Sequence, residues 1–217
     1  MRLALFDLDG TLSLKDTERE WAYLLGERGW VDPSGFDRFH DSYQSGTLVL
    51  QHYYDWYKEL YATVDRDALD ALRDELVAER LLPSIPAHAR AWIAEERAAG
   101  ATCLLVTASN FYLTEPIGAG LGLDGTLATH IEERDGRFTG QLLHTPCFRE
   151  NKVTRVEQWL ARRETCLAKL EHSCFYSDSH NDLPLLEAVQ RPVVVDPDAR
   201  LERVAVERGW ERRALAL

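Results

Sequence analysis

The sequence has little that would tie the chain to a membrane, to nucleic acid or to an oxidising compartment. Its 217 residues include four cysteines and no run of the roughly 20 apolar residues that a membrane-spanning helix needs. The 25 lysines and arginines are outnumbered by 36 aspartates and glutamates, and a net charge of -11 disfavours binding to a phosphate backbone. The first apolar run, Leu3–Phe6, is too short for a signal peptide. We therefore expect a cytoplasmic protein with no nucleic-acid partner and no membrane partner.

The cysteines also lack the C-x-x-C spacing of a zinc or redox motif, so we expect them to be structural. Apolar residues make up 45% of the chain, which is enough to bury the core of one large domain or of a domain with an inserted subdomain. The sequence does not indicate the oligomeric state.

Short apolar runs alternate with helical patterns along most of the chain. The predicted strands cover residues 1–6, 101–106, 173–176 and 192–195. This alternation is typical of α/β domains with a mostly parallel sheet. We predict a Rossmann-like α/β core formed by residues 1–13 and 83–217, with a helical cap inserted at residues 14–82.

Within the predicted cap, Thr17 and Glu20 have the spacing of a capping box and predict the start of the first helix. A second helix is predicted over residues 48–61, and a third places Leu69, Leu72 and Leu76 on one stripe. Later in the chain, Asp135-Gly136 predicts the turn of a hairpin within residues 126–144. That hairpin is interpreted either as a small flap or as a surface hairpin without a function.

Four aspartates follow two of the predicted strands. Asp7 and Asp9 come directly after the first strand, and Asp178 and Asp182 follow the strand at residues 173–176. Because the carboxyl ends of parallel strands meet at one edge of a sheet, these carboxylates are expected to converge there, where a divalent cation would stabilise them. Alternatively, Asp182 and its neighbour Asn181 cap the helix that follows.

Two further segments supply groups suited to an anion. Thr107-Ala108-Ser109 follows the strand at residues 101–106 and offers hydroxyl and N–H donors. Lys152 lies in the first turn of a helix predicted over residues 150–162, where it is either a solvated lysine or a ligand of the anion.

Together these motifs resemble those of the haloacid dehalogenase superfamily of phosphohydrolases. Its first motif, D-x-D-x-T after the first strand, is present as Asp7-Leu8-Asp9-Gly10-Thr11. The other three motifs follow in the family's order as Thr107, Lys152 and the loop from Asp178 to Asp182. A helical insertion directly after the first motif resembles the branch that contains phosphoserine phosphatases and histidinol-phosphatase-like proteins.

The resemblance implies a magnesium-dependent phosphomonoesterase that hydrolyses a small phosphorylated metabolite through an aspartyl-phosphate intermediate. Asp7 would be the nucleophile, and Asp9 would act as the general acid and base. The Mg²⁺ ion would be held by the Asp7 side chain, the Asp9 backbone carbonyl and Asp178. Asp182 would support Lys152 or the water shell of the metal.

The remaining motif residues would bind the substrate. Thr107 and Lys152 would hold the phosphoryl oxygens, and Thr11, Ser109 and Asn181 are expected in the same site. Motif two departs from the family, since Thr107-Ala108-Ser109 replaces a Ser-Gly-Gly pattern.

Substrate choice is expected to depend on the cap. Asp16 matches the position of the acidic residue that faces the substrate's amino group in phosphoserine phosphatases; alternatively, it begins the cap helix beside Thr17. No arginine of the cap matches the one that would hold a serine carboxylate. The arginines considered are Arg38, Arg66, Arg73 and Arg80. Phosphoserine-like and histidinol-phosphate-like substrates therefore both stay open.

Two other functions are compatible with the same motifs. A phosphotransferase or mutase would pass the phosphoryl group from Asp7 to another alcohol instead of water. A non-enzymatic module that binds phosphorylated ligands would keep the fold without turnover, and its expected mark would be the loss of Asp7 or Asp9; both are present.

Overall fold

A six-stranded parallel sheet forms the centre of the computed structural model, which describes residues 1–44, 47 and 49–215. The sheet order is β3-β2-β1-β6-β7-β8, and two further strands form a separate antiparallel hairpin. The strands are β1 (Arg2–Phe6), β2 (Ala101–Asn110), β3 (Gly125–Thr129), β4 (Ile131–Arg134), β5 (Arg137–Leu142), β6 (His172–Ser177), β7 (Arg191–Val195) and β8 (Glu211–Arg213). The predicted α/β fold with a parallel sheet is confirmed.

Helices cover both faces of the sheet and fill the long connection from β1 to β2. That connection carries α1 (Thr17–Glu27), α2 (Ser34–Gln44), α3 (Leu50–Thr63) and α4 (Arg66–Leu76). The later helices are α5 (Ala87–Ala98), α6 (Phe111–Gly120), α7 (Glu150–Ala161), α8 (Leu183–Ala188) and α9 (Ala199–Arg208). The division into a core (1–13 and 83–217) and a cap (14–82) stays a prediction. Leu48, the predicted first residue of the second cap helix, lies outside the described residues.

Strand β1 is buried on both faces, which explains why its sequence is a continuous apolar run. Alternate side chains point to opposite faces of a strand, so Ala4 and Phe6 join one apolar core while Leu3 and Leu5 join the other. On the first face the stripe Leu69, Leu72 and Leu76 of α4 is buried, as its spacing predicts. The two cores fix β1 at the centre of the sheet.

The strand order reverses at β1, and this determines where a ligand can bind. The chain runs outward from β1 through β2 to β3, then returns to place β6 on the other side of β1. The connections that leave β1 and β6 therefore diverge and open a crevice at the carboxyl ends of these strands. Open α/β sheets bind their ligands at such a point.

Three local predictions are wrong in detail. Strand β2 continues past Val106 to Asn110, so the 107–109 segment belongs to the strand and does not follow it. The segment predicted as the first arm of the hairpin divides, because residues 125–129 pair with β2 as β3, and only β4 and β5 form the hairpin around Asp135-Gly136. The first cap helix is capped by Asp16, not Thr17, since the Asp16 carboxylate accepts a hydrogen bond from the Arg19 N–H at 2.8 Å.

The β4–β5 hairpin packs against the cap helix α3 rather than projecting freely. The Gln51 side chain donates to the Gly140 carbonyl at 3.3 Å, and the rings of Tyr61 and Phe138 lie 5.3 Å apart. In the described part of the chain, no helix combines the length and apolar character needed to cross a membrane.

Candidate active site

A buried ion-pair cluster lies in the crevice between β1 and β6. Asp7 is the first residue after β1, and its N–H donates to the carbonyl of Tyr176 in β6 at 3.0 Å. The ammonium group of Lys152, from the first turn of α7, lies 3.1 Å from Asp7 Oδ1 and 2.7 Å from Asp182 Oδ2. Lys152 is fully buried, so it is not the solvated lysine that its helix position allowed. Burial shields this contact from solvent.

Asp182 is held by the site and not used as a helix cap. Although it precedes α8, its side chain makes no capping hydrogen bond to that helix. Its Oδ2 accepts from Lys152 and from the Ser177 hydroxyl at 2.8 Å, while its buried Oδ1 has no hydrogen-bond partner. A buried carboxylate oxygen without a donor is costly unless a bound group satisfies it.

Asp178 is positioned by Thr11 and given room by Gly10. The Thr11 hydroxyl donates to Asp178 Oδ1 at 2.9 Å and accepts from the Asp178 N–H at 3.0 Å. Gly10 has φ +77°, and a Cβ there would lie 2.4 Å from Asp178 Oδ2. The motif therefore needs glycine at this point, both for its backbone angle and for the close approach of the carboxylate. Thr11 was expected to bind substrate; its hydroxyl is used on Asp178.

Asp9 connects the carboxyl edge of the sheet to α1. Its Oδ1 accepts from the Thr17 N–H at 2.8 Å and from the Thr17 hydroxyl at 2.5 Å. Its Oδ2 accepts from the Ser109 hydroxyl at 2.7 Å. Ser109 in turn donates its N–H to the hydroxyl oxygen of Thr107 at 3.1 Å, so Thr107 is linked to Asp9 through Ser109.

Burial raises the pKa values of the carboxylates in this crevice, and their mutual repulsion adds to the effect. Burial raises the pKa of Asp7 to about 7, with the nearby charges of Asp182 and Asp9 adding to the effect and Lys152 opposing it. Burial also raises the pKa of Asp9 to about 7, assisted by the charge of Asp16. The pKa of Asp178 lies well above its usual range for the same reason, with Asp7 as its nearest repulsive neighbour.

These residues fit a divalent cation with hard oxygen ligands. Asp7 and Asp178 repel each other, Asp182 Oδ1 lacks a donor, and Lys152 is the cation that the described ion pairs bring to this group. Mg²⁺ prefers carboxylate and carbonyl oxygens, so it would relieve the repulsion that burial creates. The donor set is therefore chemically suited to the expected magnesium ion.

Two acidic residues at the start of α1, Asp16 and Glu18, lie near Asp9. Asp16 caps α1 as its alternative interpretation proposed, and its charge also acts on Asp9. Glu18 accepts from the Asn110 N–H at 2.7 Å and from the Tyr53 hydroxyl at 2.8 Å, linking α1, α3 and the end of β2. Burial raises the pKa of Glu18 to about 7.

Sequence reasoning missed Glu18. An acidic residue in the first turn of a helix is ordinary, so no local signal distinguishes it from Glu20. Asn181, the last of the expected substrate residues, is buried next to Asp182, and its Oδ1 accepts from Arg149 Nε at 3.2 Å.

Three of the four arginines considered as holders of a substrate carboxylate are engaged with acids. Arg66 pairs with Asp70 at 2.9 Å and with Glu133 at 2.8 Å. Arg73 and Asp70 lie 3.3 Å apart, and Arg80 binds a glutamate of α1. Arg66 and Arg73 line an open cavity of about 410 Å³. The cavity continues to Asn110, Phe111 and His130. The rings of Phe111 and His130 are stacked, with their centroids 4.2 Å apart. The side chain of Arg38 lies outside what the structure describes.

The sequence and the fold both match known proteins. Residues 4–187 match the family described as haloacid dehalogenase-like hydrolase. A histidinol-phosphatase of Neisseria meningitidis serogroup C (strain 8013) is 36% identical over 213 residues, which is 96% of each chain. The chain therefore belongs to the haloacid dehalogenase-like hydrolase family. The expected family and the expected enzyme class, a phosphatase, are confirmed.

Solved structures agree on the architecture. A protein of unknown function from Bordetella pertussis Tohama I matches with a TM-score of 0.91 and 40% identity over 99% of both chains. A phosphoserine phosphatase holding an analogue of its phospho-aspartyl intermediate matches with a TM-score of 0.72 over 99% of this chain and 93% of that one. At 17% identity, the second match shows the fold alone.

Proposed function

We propose that the protein is a magnesium-dependent phosphomonoesterase that hydrolyses a small phosphorylated metabolite through an aspartyl-phosphate. The observation that carries this proposal is the placement of Asp7 and Asp9. Asp7 is fixed by Lys152 at 3.1 Å, and Asp9 is fixed by Thr17 and Ser109 on the cap side of the same crevice. One carboxylate is thus oriented for attack, and the other is held where a leaving group would depart.

In the first step, an Asp7 oxygen bonds to phosphorus while the bond from phosphorus to the ester oxygen breaks. Asp9 gives its proton to that oxygen, which leaves as the alcohol. A pKa of about 7 suits Asp9 to this role, because a carboxyl group with its usual pKa would hold no proton near neutrality.

In the second step, Asp9 takes a proton from water, whose oxygen attacks phosphorus. The bond between phosphorus and Asp7 breaks, releasing inorganic phosphate and restoring both carboxyl groups. Lys152 keeps Asp7 in place and contributes positive charge for the phosphoryl oxygens, together with the Thr107 hydroxyl. A magnesium ion held by Asp7, the Asp9 carbonyl and Asp178 would, when bound, neutralise charge between the nucleophile and the phosphoryl group.

We also propose that residues 14–82 act as the cap that selects the leaving group, and that the substrate carries an amino group. Asp16 and Glu18 place two carboxylates at the base of this cap, close enough to Asp9 to affect its pKa or to be affected by it. The 36% identity to a histidinol-phosphatase supports an amino alcohol phosphate over other monoesters.

The test of the activity is phosphate release from a panel of phosphorylated metabolites, measured with magnesium and again with excess chelator. The panel includes phosphoserine, histidinol phosphate and para-nitrophenyl phosphate, with an acceptor alcohol added in a parallel series. Magnesium-dependent release of free phosphate is expected. Transfer of the phosphoryl group to the added alcohol in place of release would identify a phosphotransferase, and activity untouched by the chelator would exclude the metal.

The test of the amino-group proposal uses two variants of Asp16. Asp16→Asn keeps a good helix cap and removes the charge, whereas Asp16→Ala removes both. Leaving a substrate ammonium unpaired in a partly desolvated site costs about 2 to 5 kcal/mol. We expect both variants to lose activity on amino-bearing substrates far more than on para-nitrophenyl phosphate. If Asp16→Asn keeps full selectivity, Asp16 serves the helix alone.

A further inference from the structure

The turn that leads into α7 holds an arginine where a glycine would be expected. The Asn151 N–H donates to the Phe148 carbonyl at 3.1 Å and closes a four-residue turn. Arg149, the second residue of that turn, has φ 54° and ψ -128°. These angles are those of a type II′ turn, in which this position favours glycine because a Cβ is strained there. Such a residue persists only where its surroundings hold it in place.

The surroundings that hold Arg149 belong to the site. Its Nε donates to Asn181 Oδ1 at 3.2 Å, and its guanidinium lies 5.0 Å from the centre of the Phe148 ring. Asn181 is only 3% exposed and directly precedes Asp182, the partner of Lys152. Lys152 itself follows Arg149 by three residues. One short turn therefore connects the lysine of the third motif to the loop of the fourth.

We propose that Arg149 is a positioning residue that orients the side-chain amide of Asn181 in the phosphoryl site. An amide has an acceptor end and a donor end, and either end can face a given neighbour. A guanidinium can only donate, so Arg149 fixes the oxygen of Asn181 toward itself and determines where the Nδ2 donors lie. The strained backbone places the guanidinium at the required point.

This inference rests on the proposed function and on the expectation, drawn from the sequence motifs, that Asn181 belongs to the site that binds the phosphorylated substrate. It adds a residue outside the four motifs, and it assigns a purpose to a backbone conformation that is otherwise unfavourable. Because the role is exerted through Asn181, its effect has to vanish when Asn181 is absent.

The experiment compares Arg149→Gly with the matched variant Glu164→Gly. Glu164 follows the other end of α7, has φ 58° and is exposed, so glycine relieves a similar strain there without touching the site. For Arg149→Gly we expect kcat/KM to fall by about 10- to 100-fold, the range typical of residues that orient ligands, with Tm unchanged or raised. Glu164→Gly is expected to keep full activity. If both Tm and activity fell in Arg149→Gly, the role of Arg149 would be merely structural, and the proposal would be overturned.

A double-mutant cycle with Asn181→Ala tests the connection itself. We expect Arg149→Gly to cost almost nothing further once Asn181 is alanine. Independent, multiplying losses would show that Arg149 acts without Asn181 and would overturn the proposal. Arg149→Lys keeps the charge but not the planar donors, so full rescue by lysine would also contradict an orienting role.

Binding of inorganic phosphate, measured by calorimetry with magnesium present, separates this inference from the proposed function. If the wild-type protein releases no phosphate from any substrate of the panel, the proposed function fails, and the same cycle is then performed on phosphate affinity. The positioning role is supported if Arg149→Gly weakens phosphate binding in the wild-type background but has no such effect in the Asn181→Ala background. Equal affinity in the wild type and Arg149→Gly contradicts it.

Discussion

Two clusters of buried charge lie at opposite ends of the same parallel strands, and they are built differently. At the carboxyl ends, Lys152 is shared by Asp7 and Asp182, while Asp9 and Asp178 add two further carboxylates nearby. Acids outnumber the paired base, the pKa values of Asp7 and Asp9 rise to about 7, and one carboxylate oxygen has no donor.

At the amino ends, the buried carboxylate of Glu96 from α5 is matched by its neighbours. Arg191, the first residue of β7, pairs with it, and the Tyr176 hydroxyl donates to it at 2.8 Å. Arg191 also pairs with Glu211 at 3.2 Å. The side chains of Glu96, His172 and Cys174 have potential metal-ligand atoms within 4.8 Å of one another. The carboxylate of Glu96 is, however, already paired with the guanidinium of Arg191.

The difference separates a functional cluster from a structural one. A carboxylate with a matched partner stabilises the fold, whereas crowded carboxylates with raised pKa values oppose folding and need another reason to be present. In this protein the crowded cluster is the one that carries the family motifs, and the matched cluster carries none of them. Variants at the two ends should therefore have opposite effects.

The largest effect is expected from Asp7→Asn. An amide cannot form the acyl phosphate, so phosphate release should fall below detection on every substrate of the panel. In metal-free buffer the same variant should have a higher Tm than the wild type, because it removes one of the crowded carboxylates. Steady-state assays and thermal unfolding with chelator measure the two outcomes.

The control for Asp7→Asn is Asp67→Asn, which changes an exposed aspartate of α4 and should alter neither quantity. Clear residual turnover by purified Asp7→Asn would exclude Asp7 as the nucleophile. A marked loss of metal-free stability would show that the cluster is structural after all.

The next largest effect is expected from Asp9→Asn. Asparagine keeps one acceptor oxygen, for either Thr17 or Ser109, but it cannot transfer a proton. Each of the two steps therefore loses general acid–base catalysis worth about 10²- to 10⁴-fold. The fall should appear in kcat, measured by single-turnover and steady-state phosphate release. A change confined to KM would contradict the proton-transfer role and leave Asp9 as a binding residue.

The sequence predicts the convergence of Asp7 and Asp178 at the carboxyl edge of the sheet because its signals are local. A continuous apolar run followed by Asp7-Leu8-Asp9 specifies the buried strand β1 and its carboxyl end. The same pattern recurs in β6, which is followed by Asp178. Parallel pairing then brings the two loops together. Element ends were less predictable: β2 continues to Asn110 because it still pairs with β3 beyond the apolar run.

The elements and residues that sequence reasoning missed depend on tertiary contacts. The segment of strand β3 was expected as an arm of the hairpin, but it pairs with β2 instead. The polar edge strand β8, which no pattern predicted, pairs with β7. Glu18 and Arg149 have ordinary neighbours in sequence, and their partners are 35 and 32 residues away or more. No periodicity or spacing reports such contacts.

A smaller, pH-dependent effect is expected from Glu18→Gln. Burial is the main cause that raises the pKa of Glu18, and the charges of Asp16 and Asp9 add to it. The hydrogen bonds donated by Tyr53 and by the Asn110 N–H act in the opposite direction. Its pKa of 4.5 in an unfolded chain rises to about 7 after folding, so the stability that the protonated form provides is full below pH 4.5. That stability is lost as the pH rises through 7.

Glutamine does not titrate, so Glu18→Gln should gain stability relative to the wild type between pH 4.5 and 7. A tenfold change in proton affinity corresponds to about 1.4 kcal/mol, which sets the largest difference at about 3 kcal/mol. Denaturant unfolding in chelator at several pH values measures it, with Glu20→Gln on the same helix as the control. A constant difference between wild type and Glu18→Gln across that range would show that Glu18 does not ionise there.

The smallest effect is expected at the matched cluster, from Glu96→Gln. Glutamine keeps the shape of the side chain but removes the charge opposite Arg191, which is itself about one-third exposed. The variant should lose about 1 to 2 kcal/mol of unfolding free energy, since a buried charged hydrogen bond is weakened while water reaches the guanidinium. Chemical unfolding measures the loss.

Activity per folded molecule should stay the same in Glu96→Gln, because the site lies at the other end of the strands and none of its described hydrogen bonds involves Glu96. Taken with Asp7→Asn, this gives a crossed pattern: one substitution of a buried acid by its amide removes activity and adds metal-free stability, and the other removes stability and spares activity. If Glu96→Gln lowered kcat as well, the two ends of the sheet would be coupled through β6. The contrast between a functional and a structural cluster would then no longer hold.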